Sequence, residues 1–234
     1  MNPNVLDTAQ LMGDPSRLAM LMSLLGGRAL PASDLARASA ISPQTASSHL
    51  AKLVAGGLLV HESHGRHKYF RLANQEVAHA LEALLAISPS KPVRSLRESD
   101  ELRRMRHCRT CYDHIAGEVG VALTDRLVHL GWLEESGQDY SVNEKGRAGL
   151  KAWGVATENV ANRRRHYARQ CLDWSERRHH LAGYLGAAIT KRLFELKWIE
   201  RLPQGRAILV TGEGMDGFYR ELGLNLVINN KLAN

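Results

Sequence analysis

Apolar residues recur at helical spacing through the first third of the chain, in runs that glycines interrupt. Val5, Leu6, Ala9, Leu11 and Met12 form the first set, and Gly13 ends it. Asp14 suits an N-cap, with Pro15 at the first helical position, where a missing N–H costs nothing. Leu18, Leu21, Met22 and Leu25 carry the second stripe as far as Gly26-Gly27, and Ser33 reads as the cap of a third helix through Leu35, Ala36 and Ala38. After the turn Ala40-Ile41-Ser42, Pro43 opens a fourth helix with Ala46, Leu50 and Leu53 on its inner face, stopped by Gly56-Gly57. The pattern then becomes extended. Leu58-Leu59-Val60-His61 and Lys68-Tyr69-Phe70-Arg71-Leu72 read as two strands around the polar turn Ser63-His64-Gly65-Arg66. Val77, Ala80, Leu81, Leu84 and Leu85 return to helical spacing, and Ser88-Pro89-Ser90-Lys91-Pro92 breaks it as a linker would.

The second half carries an internal duplication. Residues 114–134 align without gaps to residues 180–200, and 11 of the 21 positions are identical, among them Gly120 and Gly186, Thr124 and Thr190, and Trp132 and Trp198. Each copy follows a Cys-x-Asp, at Cys111-Tyr112-Asp113 and Cys171-Leu172-Asp173, and precedes a strand-like run and a glycine turn. Two copies are too few for a solenoid. They predict two similar helix-helix-hairpin units, of the shape a degenerate winged helix would have, packed together. The expected fold class is mainly α with small β-hairpins, an α+β arrangement. A winged helix-turn-helix over 1–88 is joined by a linker at 89–102 to a duplicated domain at 103–234.

Composition narrows the class. The 234 residues are 44% hydrophobic and 24% charged, ordinary for a folded soluble protein. No apolar run reaches the roughly 18 residues of a membrane span, and no basic-then-apolar leader opens the chain. A cytoplasmic protein with no membrane partner is therefore expected. The net charge of +7 suits a polyanion without proving one. Three cysteines are too few and too odd for a disulfide framework.

The basic charge acquires meaning beside the fourth helix. A helix-turn-helix lays one helix across the phosphate backbone and sends the N-terminal residues of the next into the major groove. Residues 33–38 and 43–54 fit those roles. Outside the apolar stripe of the second lie Gln44, Thr45, Ser47, Ser48, His49 and Lys52, with Ser42 just before it. Glutamine can pair bidentately with adenine, hydroxyls accept several partners, and lysine suits phosphate or guanine. The hairpin tip adds Arg66, His67 and Lys68, cations suited to the backbone. Spacing alone also permits an ordinary solvated helix. The motifs go further: Met12-Gly13-Asp14-Pro15-Ser16-Arg17-Leu18, Ser42-Pro43-Gln44-Thr45-Ala46-Ser47-Ser48-His49-Leu50-Ala51-Lys52-Leu53, and Gly65-Arg66-His67-Lys68-Tyr69-Phe70-Arg71-Leu72 closely resemble the ArsR family of bacterial regulators. The resemblance covers residues 5–88. It implies a winged-helix homodimer on double-stranded DNA, paired through the first and last helices (5–12 and 76–87), and usually a repressor released when an effector binds.

Metal-sensing members of that family carry cysteines before the recognition helix or Asp/His pairs on the last helix. Residues 32–36 hold no thiol here, and the last helix offers only Glu76 and His79, too few for tetrahedral zinc. The remaining candidates for an effector or redox site are Cys108, Cys111 and His114, with Cys171 in the second copy. Cys108 and Cys111 are spaced for a shared metal or a disulfide, and Arg104, Arg106 and Arg109 would favour a thiolate. A lone C-x-x-C is a weak signal, and the Cys-x-Asp echo favours a packing role for Cys111 and Cys171. No cofactor is expected beyond a metal at Cys108/Cys111. The runs Arg163-Arg164-Arg165-His166 and Arg177-Arg178-His179-His180 read as solvated helix faces, and Trp132 and Trp198 as core residues.

These readings converge on a DNA-binding regulator without catalysis, whose second half senses a small molecule, a redox change or a metal. The alternatives are a thiol oxidoreductase domain fused to an autoregulatory winged helix, and a nonspecific architectural DNA binder.

Overall fold

The structure, a computed structural model, describes residues 4–65, 67–89, 92, 95–157, 166–203 and 205–226. Two compact units emerge, 1–82 and 83–234. The linker residues Ser90 and Lys91, the wing residue Arg66 and Arg163-Arg164-Arg165 fall outside the described residues.

In the first unit α1 (Val5–Gly13) and α2 (Pro15–Ser23) meet at Asp14, whose carboxylate accepts from the Arg17 amide at 2.9 Å as an N-cap should. A two-residue strand, β1 (Leu30–Pro31), precedes α3 (Ala32–Ala38) and α4 (Pro43–Ala55). The hairpin β2 (Leu59–His64) and β3 (His67–Leu72) follows, then α5 (Gln75–Ile87). The sheet order is β1-β3-β2, with Leu30 opposite Phe70 and Pro31 opposite Tyr69. That pairing corrects the expected start of α3. The helix leaves directly from β1, so Pro31 stands at the cap position with no side-chain cap, and Ser33 lies inside the helix. Two residues ending in proline show no alternation, which is why β1 was not foreseen. The hairpin is longer than its apolar residues announced, since His64 pairs His67 across a tight turn containing Gly65 at φ 59°. Met20, Leu21, Leu25, Leu35, Leu50, Leu53, Leu59, Leu72 and Leu81 form the core.

The second unit opens with α6 (Leu96–His107), where a linker to residue 102 was expected. Ser95 caps it by accepting from the Glu98 amide at 3.1 Å. It buries no residue, so its sequence carries no apolar stripe to announce it. There follow β4 (Arg109–Cys111), β5 (His114–Ala116), α7 (Gly117–His129), β6 (Leu133–Ser136), β7 (Asp139–Val142) and α8 (Glu144–Ala152). The same order then returns as β8 (Arg169–Leu172), β9 (His179–Ala182), α9 (Gly183–Glu195), β10 (Ile199–Arg201), β11 (Ile208–Val210) and α10 (Gly212–Leu222). Each copy is thus hairpin-helix-hairpin-helix, differing from the helix-helix-hairpin expected.

The copies exchange edges. β6-β7 continues into β8-β9 as one four-stranded antiparallel sheet, and Arg109 bridges Ala207 so that the β10-β11 hairpin adjoins β4-β5. The Thr190 hydroxyl accepts from the Ile115 amide at 2.9 Å, and the Thr124 hydroxyl accepts from the Leu181 amide at 2.8 Å. These two reciprocal bonds satisfy buried N–H groups that would otherwise be costly. Gly146 and Gly214 permit equally close approaches: a Cβ on either would stand 2.1 Å from the carbonyl oxygen of Trp132 or Trp198.

Candidate functional site

The helix α4 begins at Ser42, whose hydroxyl accepts from the Thr45 amide at 3.2 Å and lies 2.9 Å from the Thr45 hydroxyl. Pro43 follows at a position that needs no donor, so the start of the helix is locked. Ala46, Leu50 and Leu53 are buried, which turns Gln44, Thr45, Ser47, Ser48 and Lys52 outward, and all five are exposed. His49 departs from the expected row. It sits on the flank of the buried stripe, half-buried, with Nδ1 3.4 Å from Nη1 of Arg17. Arg17 in turn donates to the carbonyls of Leu11 and Gln10, each at 2.8 Å, and so ties α4 to the end of α1. His49 is therefore a brace for the helix. In the wing, Lys68 is exposed and shares a groove with Ser47, Ala51 and His61 beside α4. The His67 backbone pairs in the hairpin; of its side chain and of Arg66 nothing is described.

The second unit separates the cysteines that the sequence grouped. Cys108 is fully buried among Ile115, Val119 and Leu123, and burial pushes its thiol far up, against the lowering pull of Arg109. The expected Cys108–Cys111 pair and the arginine-activated thiolate are both absent. Burial in an apolar core outweighs the neighbouring charge. Cys111 instead faces Cys171, with Sγ to Sγ 3.9 Å, and none of the three cysteines forms a disulfide.

His114 and His180 complete that cluster, their Nε2 atoms 3.2 Å apart and both side chains fully buried. Each ring turns its Nδ1 to an aspartate, Asp113 Oδ1 at 3.2 Å and Asp173 Oδ2 at 3.2 Å. Burial presses His114 toward its neutral form, but Cys111 and Asp113 outweigh this and raise its pKa to about 9. Asp173 also meets the buried Arg109 guanidinium at 2.9 Å and accepts from the amides of Gly117, Ser175 and Glu176. Burial would raise its carboxyl. The bond to His180 and the charge of Arg109 win, and hold it well below the usual carboxylate range.

The comparisons with known proteins bear on the first of these sites. The helix-turn-helix domain family matches residues 12–62. An uncharacterized HTH-type transcriptional regulator, YdfF of Bacillus subtilis (strain 168), is 45% identical over 226 residues, covering 97% of this chain and 100% of the relative. The chain belongs to the HTH-type transcriptional regulators. Its N-terminal part is a helix-turn-helix, α3 and α4, followed by the β2-β3 hairpin as a wing. Among solved structures, NolR from Sinorhizobium fredii is 25% identical, with TM-score 0.34, over 39% of this chain and 100% of its own. The homodimeric winged helix-turn-helix domain Mb0332 from Mycobacterium bovis, titled a possible ArsR-family regulator, is 24% identical, with TM-score 0.33, over 44% and 84%.

For the regulator, then, the sequence located α4 and most of its outward row but missed His180, Asp113 and Asp173 as partners of the cysteines. His180 had been placed on a solvated helix face. It lies on β9, inward, while the neighbouring Arg178 pairs Asp125 at 2.7 Å. The available signal was that His114 and His180 both open the duplicated block, each behind its own Cys-x-Asp. Trp198 is buried and Trp132 half-buried, their rings filling the space over Gly217 and Gly149. No helix among the described residues is long and apolar enough to cross a membrane.

Proposed function

We propose that the regulator binds an operator as a homodimer, with the N-terminal end of α4 in the major groove, and that its second unit governs release. Gln44, Thr45 and Ser48 read base edges, Ser47 and Lys52 flank them, and Lys68 with Arg66 and His67 of the wing contacts phosphates. Ser42 holds the first turn in shape. The observation that carries this reading is the exposed polar row of α4 on a helix whose start and inner face are both fixed, since base readout needs a rigid presenting element.

Dimerisation rests on apolar surface. The helix α1 buries no residue and exposes Val5 at 72% and Leu6 at 65%, and the end of α5 exposes Ile87 at 79%. Large apolar side chains at such exposure on two helices favour a protein partner, and a two-fold operator needs a two-fold protein. Residues 1–88 serve DNA binding and pairing, and residues 103–234 serve as the sensing domain of a repressor. An enzymatic thiol pair gains no support, because Cys108 and Cys111 lie in separate buried clusters.

The test is selection of duplexes from a random library by the full-length protein, with sedimentation of the complex. Enrichment of an inverted repeat, half-sites about 10 bp apart or a multiple of it, bound by two chains, is expected. Retention of DNA without any enriched motif would identify an architectural binder and overturn the reading.

A further inference from the structure

We propose that Cys111, His114, Cys171 and His180 form a closed, four-coordinate site for a divalent cation of the zinc class, built jointly by the two copies of the second unit. The four candidate ligand atoms all lie within 4.8 Å of one another, and all four residues are buried. Two thiolates and two imidazoles are the donor set that tetrahedral zinc takes. Ideal bond lengths give ligand edges of about 3.8 Å between sulfurs and about 3.3 Å between nitrogens. The observed separations are 3.9 Å for Cys111 to Cys171 and 3.2 Å for His114 to His180.

The orientation of the histidines is the stronger argument. Both present Nε2 to the centre of the cluster and Nδ1 to a carboxylate, Asp113 or Asp173. His114 Nδ1 bonds Asp113 and His180 Nδ1 lies 3.2 Å from Asp173, which leaves the two Nε2 atoms 3.2 Å apart at the centre, where a shared proton or a shared cation joins them. A carboxylate beside Nδ1 with Nε2 turned inward is the arrangement of a carboxylate–histidine–metal relay, which aims Nε2 at the ion. On binding, both thiols release their protons to solvent, and two thiolates neutralise the dication. Four protein ligands leave no open coordination position, so the site is structural and not catalytic.

The ligands are placed by strand register. Cys111 and His114 are cross-strand partners in the β4-β5 hairpin, and Cys171 and His180 are cross-strand partners in the β8-β9 hairpin. Each copy therefore supplies one cysteine and one histidine, and the ion would fasten one copy to the other. This site is separate from α4, and its existence does not depend on the DNA-binding reading.

Full-length protein, stripped with a chelator under reducing conditions, is titrated with cobalt(II). Saturation at one ion per chain is expected, with the intense visible bands of tetrahedral cobalt, a thiolate charge-transfer band, and displacement by one equivalent of zinc. Cys108→Ser should leave stoichiometry and spectrum unchanged. Asp113→Asn should keep the spectrum and weaken binding about 10–100-fold. His180→Gln, with its fold checked by circular dichroism, should lose the wild-type spectrum. Failure of the reduced wild-type chain to take up either metal, or a spectrum indifferent to His180→Gln, overturns the proposal, as does a Cys111–Cys171 disulfide that forms in the presence of saturating zinc.

Discussion

In the first unit the chemistry stands on the outside. Gln44, Thr45, Ser47, Ser48 and Lys52 are exposed over a core of leucines, and among its described residues Glu82 alone is both charged and buried. In the second unit Arg109, Thr110, His114, Thr124, Asp173, His180 and Thr190 all lie within the fold. An exposed polar side chain loses little by being exchanged, because water replaces its partner. A buried one is held by particular atoms contributed from elsewhere in the chain, and removing it strands those atoms. The first arrangement suits a surface that must evolve toward different base sequences. The second suits a domain whose two copies are registered by their polar contacts as much as by apolar packing.

The contrast breaks most sharply at Asp173. Asp173→Ala leaves the buried Arg109 guanidinium without its carboxylate and removes the acceptor of three amides. A loss of about 3–5 kcal/mol in unfolding free energy is expected. Denaturant titration measures it, and a loss below about 1 kcal/mol would mean the pair is solvated. Next comes Gly214→Ala, whose methyl would meet the Trp198 carbonyl oxygen at 2.1 Å. Overpacking against backbone costs about 1–3 kcal/mol. Gly146→Ala, at the matching place in the first copy, should cost a similar amount, and a large disparity would show that the copies do not share this packing.

On the exposed side the expected effects move from stability to binding. Gln44→Ala should cost about 1–3 kcal/mol on the selected operator while leaving the melting temperature unchanged. Equal losses on operator and random DNA would remove Gln44 from base readout. Lys68→Ala should weaken all sequences alike and reduce the salt slope by about one, as a phosphate contact does. The smallest effect is Lys197→Gly. Lys197 holds φ 55° where the first copy has Gly131 at φ 67°. Relief of left-handed strain should stabilise the protein by about 0.5–1 kcal/mol, and a destabilised variant would show that the lysine side chain compensates for its backbone.

Which features could be read in advance follows the same division. The winged helix was legible because its signals are local. Asp14-Pro15 and Ser42-Pro43 start helices within one turn, and Ala46, Leu50 and Leu53 mark the inner face of α4 by their spacing alone. His49 was misplaced because its neighbour is Arg17, thirty-two positions away. The helix α6 escaped because it buries nothing, and β1 because two residues cannot show a period.

By itself the sequence determined the starts of α2 and α4, most of the exposed row of α4, the motif resemblance and the repetition of the second half, all properties of residues within a turn or two of one another or of plain identity between copies. The tertiary structure alone decided which cysteines are neighbours. Cys111 and His114 are three positions apart, Cys171 and His180 nine, yet both are register partners, since the second hairpin has a longer loop. Strand pairing depends on backbone register and not on distance along the chain. For that reason Cys111 meets Cys171 across sixty residues, while Cys108, three positions away, belongs to another core.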